Sequence, residues 1–392
     1  MILGGGISGL YSAYQLLKKN PDRHLILIDK RDRWGGRVYT HTDEYMTVET
    51  GAGRFNNRHP LLLELIHELH LEHLIVPSST DYVYAKPSQF TIKTILLKVI
   101  TAGELDPFHD LRKLSFLEYA SKIVSKEEVQ FIEDAFGYYA ELVIMNAKDA
   151  IRLMKELFLS EFYQMKGGLS QLIDTLVKRL QQFPNIEMKL NETVLSIRKG
   201  YTVTTDKGVY HDPLCICTMP KDPFMKLAFS KPLHCKLNKI TCAPLCRIYA
   251  TFEKPWFSKL KKMTSSTPLR MILPYSKNTI MISYSDHYYA LFWNDLYTKY
   301  GEKKVIEVLQ YYIQEELGIQ MPIPLKLKIC FWTCGVGYWN VGADSEVLAK
   351  QLQNPFPGFY LCGEHYSATN QQWMEGALET SKSVCEKVMK IR

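Results

Sequence analysis

Gly4-Gly5-Gly6-Ile7-Ser8-Gly9 stands almost at the start of the chain, and Asp29 follows the last glycine by twenty positions. These residue types at this spacing suit a dinucleotide. The glycines let a strand turn tightly, let backbone approach a pyrophosphate, and let helix pack closely on strand. A helix beginning beside Ser8 offers free N–H groups and a positive dipole end to the phosphates, and a carboxylate at Asp29 can accept both ribose hydroxyls. The alternative is a tight strand-to-helix turn that holds no ligand. Arg31-Asp32-Arg33-Trp34-Gly35-Gly36-Arg37 adds two glycines between arginines, a loop able to approach and neutralise a phosphate.

The elements that must position these residues follow from the hydrophobic pattern. Residues 1–3 end a buried strand, 8–18 form a helix with apolar Leu10, Ala13, Tyr14 and Leu17, and 25–28 form a second strand ending at Asp29. Residues 48–55 read as a strand closing in a small-residue turn, and 60–76 as helix. Helical patterns follow over 91–100, 115–124, 126–143 and 147–158, and another starts at Gly167-Gly168-Leu169 and runs to 180. Residues 186–218 alternate as short strands. Beyond them, 247–252 and 281–284 read as strands and 303–317 as helix. The chain closes on a strand over 358–362 and a helix over 374–388. This order suits a nucleotide domain split by inserted segments better than two sequential domains.

At 392 residues the chain exceeds one ordinary core. The net charge of +7 is scattered. Its densest patch, Lys254, Lys259, Lys261 and Lys262 around Trp256 and Phe257, reads as a solvated loop and not a nucleic-acid surface. Nine cysteines are present. Cys242 and Cys246 share a spacing with Cys330 and Cys334, which leaves a four-cysteine zinc site open, but the usual short CxxC spacing is absent. Buried free thiols and a reducing, cytoplasmic setting are the expectation. No metal is expected. His67, His70 and His73, interleaved with Glu64, Glu68 and Glu72, fit an amphipathic helix better than a metal motif. No charged leader precedes the first strand and no apolar run nears the ~20 residues that span a bilayer, so neither a secretory signal nor a membrane anchor is expected.

Four separated blocks together resemble the flavin-dependent amine oxidase superfamily, which includes monoamine, polyamine and L-amino-acid oxidases. They are Gly4–Gly9 with Asp29 and Arg33-x-Gly35-Gly36-Arg37; Lys166-Gly167-Gly168-Leu169-Ser170-Gln171-Leu172; Leu361-Cys362-Gly363-Glu364; and Trp373-Met374-Glu375-Gly376-Ala377-Leu378. The resemblance implies an α/β fold: a Rossmann-like, GR2-type FAD-binding domain split over 1–58, 160–220 and 332–392, with an inserted α+β substrate domain over 59–159 and 221–331.

It also implies FAD. Gly4, Gly6, Ser8 and Gly9 would hold the pyrophosphate, Asp29 the adenosine ribose, Arg37 a phosphate, and Glu364 the ribityl–phosphate side. Val194 would lie near the adenine. Trp373-Met374 would meet the isoalloxazine at the start of the last helix, whose dipole favours the anionic reduced flavin. Lys30, Arg33, Gly36, Gly53, Arg54, Gly363 and Ala377 complete the expected cofactor set.

The implied chemistry is hydride transfer from the carbon beside an amine nitrogen to flavin N5, followed by imine hydrolysis and peroxide formation from oxygen. A neutral amine is required, so the family uses an apolar aromatic slot that desolvates it. Trp373 matches one wall, and Tyr338 or Trp339 the other. Where monoamine oxidases link a cysteine to the flavin, this chain has Gly337 or Tyr338, so a non-covalent flavin is expected. Arg247 stands where many members place a lysine near N5. Arginine neither deprotonates nor matches lysine in size, so oxygen reactivity is expected to be lower. Gly51-Ala52-Gly53-Arg54 resembles the turn of L-amino-acid oxidases that grips a substrate carboxylate, with Gly53 in place of methionine; a phosphate or structural contact for Arg54 is the alternative. The substrate expected is a small amine or amino acid with oxygen as second partner. The rival readings are a desaturase- or protoporphyrinogen-oxidase-like enzyme, or a flavin-bound protein with little or no turnover.

Overall fold

The computed structural model describes residues 1–79 and 81–390. At its centre is a five-stranded parallel sheet in the spatial order Phe359–Leu361, Cys215–Cys217, Ile2–Leu3, Leu25–Ile28, Ile186–Lys189. Its strands come from the start, middle and end of the chain. Helices Ile7–Lys19, Ser170–Leu180 and Met374–Met389 cover one face through Leu10, Leu17, Leu172, Leu176, Leu378 and Val384. A small antiparallel sheet, Val194–Ile197, Thr202–Thr205 and Val209–His211, packs on the other side through Ile197 and Val203.

A second, six-stranded sheet runs Lys326–Trp339, Ile240–Thr251, Thr279–Asp286, Met271–Pro274, Met263–Thr264, Val83–Tyr84. The helix His287–Leu317 lies against it, interrupted at Gly301, whose φ of 77° no helix accommodates. A helical insertion spans Ile92–Leu105, Phe116–Ala120, Lys126–Ala135, Tyr139–Val143 and Ala147–Phe158.

Two expected helices differ in a way that shapes the site. Over 60–76 the helix stops at Glu68; His70 turns to φ 61°, and a strand follows at Ile75–Pro77. His70 and His73 therefore lie outside the helix. Over 126–143 the helix breaks at Phe136-Gly137-Tyr138. A side chain at Gly137 would come within 2.5 Å of the Met271 sulfur, so the glycine lets the Met271 side chain pack against the break. The short helix beyond the break is started by Asp286, whose carboxylate accepts the N–H groups of Tyr139 (3.0 Å) and Ala140 (2.8 Å). An anion at a helix N-terminus satisfies its free donors. The break turns Tyr138 and Glu141 toward the interior.

Candidate active site

A cavity of about 670 Å3 starts at Gly4, Asp29, Thr218 and Gly363, just past four strands of the parallel sheet, and continues between the six-stranded sheet and the helical insertion. Its first part is a cradle. The helix Ile7–Lys19 begins at Gly6 without a side-chain cap, so its first N–H groups remain available. A Cβ at Gly6 would meet nothing within 4 Å, which shows open space directly before the helix end. Gly9 does not line the cavity. A Cβ there would lie 1.9 Å from the Gly4 carbonyl oxygen, so Gly9 serves helix–strand packing and not the phosphates. Ser8 lines the cradle, but its hydroxyl is engaged with that of Ser381 at 2.6 Å, leaving its backbone N–H for a ligand.

Asp29 holds its own turn, accepting the N–H of Gly5 at 2.6 Å and of Arg31 at 2.8 Å, and it lines the cavity with Lys30, Glu192 and Val194. Arg33 departs from expectation. Its guanidinium donates to the carbonyls of Trp34 and Gly36 and lies 3.9 Å from the Tyr39 ring centre, so it braces the glycine loop and stays outside the cavity wall.

Arg37 donates to Glu364 at 2.7 Å and to the Gly335 carbonyl at 2.8 Å. The second Glu364 oxygen accepts the N–H groups of Gly337 (2.9 Å) and Gln372 (2.6 Å). Burial works against this carboxylate, but His365, Arg37 and the two N–H donors outweigh it and hold its pKa below the usual range. Glu364 thus ties three segments together where the last helix begins. Gln372, which sequence reading missed, lines the cavity at φ 73°, and its side-chain amide nitrogen is buried without a partner. Leaving a buried donor unmade costs roughly 1–3 kcal/mol. The open helix end, the acid at Asp29 and this orphan amide fit a dinucleotide. Gly36, Gly53, Gly363, Met374 and Ala377 line the same space.

The deeper part is a chamber. Trp373 lies beside His59 and Phe162. Arg54 donates to the Tyr138 hydroxyl at 3.2 Å, and its guanidinium sits 4.8 Å from the Phe162 ring centre and 5.9 Å from that of Trp373. Arg247 donates to the Glu49 carbonyl at 3.1 Å and lies over Tyr284. Of the two candidates for the second wall, Tyr338 lines the cavity, and Trp339 points the opposite way, as alternation on a strand requires. The Trp339 indole donates to the Ser367 carbonyl at 2.8 Å in the core with Phe359 and Leu361.

Two further ionisable groups line the chamber. Lys262 belongs to the patch expected to be solvated, yet its ammonium donates to the Ser79 carbonyl at 2.6 Å, and burial followed by the nearby Arg54 lowers its pKa. Glu141 is 3% exposed with one carboxyl oxygen unpartnered. Burial above all, then the neighbouring Asp286, pushes its pKa up to about 8 against the pull of Arg54. The only signal for Glu141 in the sequence was Gly137, four residues before it.

The cysteines also differ from expectation. Cys242 and Cys334 form a disulfide across the two longest strands, with Cα atoms 4.9 Å apart. Cys246 and Cys330 are buried in separate apolar clusters, so the four do not converge. The ladder slips between Ala243 and Leu245, which breaks the alternation that would place Cys242 and Cys246 on one face.

A family model described as flavin containing amine oxidoreductase matches residues 7–128 and 101–389, and the chain belongs to that family. It is therefore an oxidoreductase with FAD as cofactor. The chain is 20% identical over 477 residues to an uncharacterized protein of Acanthamoeba polyphaga mimivirus, covering 99% of this chain and 93% of the relative. A shorter stretch of 93 residues, 23% of this chain and 20% of the relative, is 30% identical to coproporphyrinogen III oxidase of Staphylococcus aureus. Among solved structures, a putrescine oxidase with putrescine bound matches with a TM-score of 0.78 at 16% identity, covering 99% of this chain and 98% of that one. The Rossmann-like FAD fold follows from these matches. Among the described residues no helix is long and apolar enough to cross a membrane.

Proposed function

We propose that this oxidoreductase oxidises a small amino compound at the carbon bearing its nitrogen, and that the compound carries a carboxylate. One observation carries the reading: Arg54, Trp373, Tyr338 and Glu141 line the same cavity as the dinucleotide cradle. FAD, when bound, supplies the hydride acceptor, with oxygen as the final oxidant. Arg54 grips the carboxylate with a forked guanidinium. Trp373 and Tyr338 form the walls that exclude water and favour the neutral amine. Glu141, when ionised, accepts the ammonium proton through its unpartnered oxygen; the charged or titratable groups around it are Asp286, Arg54 and Tyr338. The cofactor is held without a covalent link by Gly4, Gly6, Ser8, Asp29, Arg37 and Gln372.

A second reading, oxidation of a polycarboxylate porphyrinogen, draws on the coproporphyrinogen III oxidase stretch and on three cations in one chamber, Arg54, Arg247 and Lys262. Anaerobic flavin bleaching separates the two. Amino acids should bleach the flavin fastest. Fastest bleaching by coproporphyrinogen would favour the second reading, and bleaching by neither class would reject both.

A further inference from the structure

The Cys242–Cys334 disulfide has no part in the chemistry above, yet it stands at the flavin cavity. Cys334 belongs to the cavity wall and directly precedes Gly335, whose carbonyl holds Arg37. The buried imidazole of His365 faces both sulfurs, with Nδ1 3.5 Å from Cys242 Sγ and Nε2 3.8 Å from Cys334 Sγ. Gly337 makes room for it, since a Cβ there would lie 3.0 Å from the ring.

The hydrogen bonds assign the tautomer. Nδ1 accepts the N–H of Lys221 at 3.1 Å, so the ring proton is on Nε2, which faces Cys334 and lies 3.3 Å from Glu364. Burial keeps the ring neutral, with its pKa at about 4. That N–H faces both the Glu364 carboxylate and the Cys334 sulfur, and the Arg37 guanidinium lies 3.1 Å from the same nitrogen. The same three donors suit a soft cation by type. However, Nδ1 is already engaged and Arg37 repels positive charge, so redox chemistry is the better fit.

We propose that Cys242–Cys334 is a second two-electron centre that exchanges an electron pair with the flavin. In the reducing direction the S–S bond breaks, and the sulfurs take up two electrons and two protons to become thiols. The dihydroflavin that supplies them returns to FAD, so atoms and electrons balance with no further reactant. The proposal rests on the FAD site and is independent of the substrate.

Anaerobic dithionite titration of the holoprotein tests it, with thiols counted after unfolding. Full reduction should consume about four electrons per flavin, and the thiols should rise from seven to the nine that the sequence contains. The double variant C242S/C334S should consume about two. Dithiothreitol, which attacks disulfides by exchange, should bleach the wild-type flavin without oxygen and leave the double variant yellow. Two electrons per flavin in the wild type, nine thiols in the oxidised protein, one tightly bound zinc per chain, or equal response of both proteins to dithiothreitol would each overturn the proposal. If the double variant does not fold, the wild-type electron and thiol counts decide alone.

Discussion

Gly53 and Arg247 occupy complementary space: a Cβ on Gly53 would lie 3.0 Å from Arg247 Nη1. A side chain at position 53 would therefore crowd the guanidinium of Arg247.

Gly53→Met should accordingly displace Arg247 from Glu49 and Tyr284 and destabilise the protein. Overpacking of this kind costs about 1–3 kcal/mol. Arg247→Lys in the same chain should recover much of it, since lysine carries no planar group into that space. Thermal unfolding of the two single variants and the double variant gives the coupling. Strict additivity would mean that the two positions do not share the space.

Arg247→Lys alone should raise the rate at which reduced flavin reacts with oxygen and change flavin reduction little. Stopped-flow oxidation of the reduced enzyme reads this directly. Slower reoxidation would mark Arg247 as the group adapted to that step.

Asp29→Ala should weaken FAD binding by about 1.5–3 kcal/mol, the scale of hydrogen bonds to a charged group. Gly6→Val should weaken it more, because its side chain enters the open space before the helix. Full flavin occupancy in both variants would remove the cradle. Flavin that remains with the acid-precipitated wild-type chain would contradict the non-covalent assignment.

Glu141 makes a pH prediction with a defined sign. Its folded pKa, about 8, stands above the ordinary glutamate value of 4.5. The folded state then binds the extra proton, so this group's contribution to stability is full below the unfolded pKa and is lost as pH rises toward 8. Glu141→Gln should flatten the fall in stability between pH 5 and 8 (about the span of the two pKa values). In the proposed reaction the same variant should remove the rise in flavin-reduction rate through that range. Unchanged profiles for both would return Glu141 to a structural role.

The cradle was legible in the sequence because local spacing makes it: glycines, a helix start and an acid at a strand end lie within 29 residues. The separation of Tyr338 from Trp339 was not, because a single residue decides strand phase and the ladder slips nearby. Arg33 and Gly9 match the motif and perform supporting work, which spacing alone does not reveal. Gln372, Glu141, Lys262 and the Cys242–Cys334 pair were missed for a shared reason. Gln372 and Glu141 reach the cavity through a positive φ and a helix break, Lys262 comes from an exposed loop, the cysteine pair forms across a strand irregularity, and none of these leaves a periodic signal.

The most direct test of the proposed activity is anaerobic flavin reduction by an amino acid and by its decarboxylated amine, in wild type and Arg54→Ala. The amino acid should reduce the wild-type flavin far faster than the amine. Arg54→Ala should cost about 2–5 kcal/mol for the amino acid, the range for breaking one side of a buried charge pair, and almost nothing for a neutral amine. Arg54→Lys should recover only part, because an ammonium cannot fork. Fastest reduction by simple amines or polyamines, with Arg54→Ala slowing all substrates equally, would contradict the account and leave Arg54 as a support for Tyr138 and the cofactor turn.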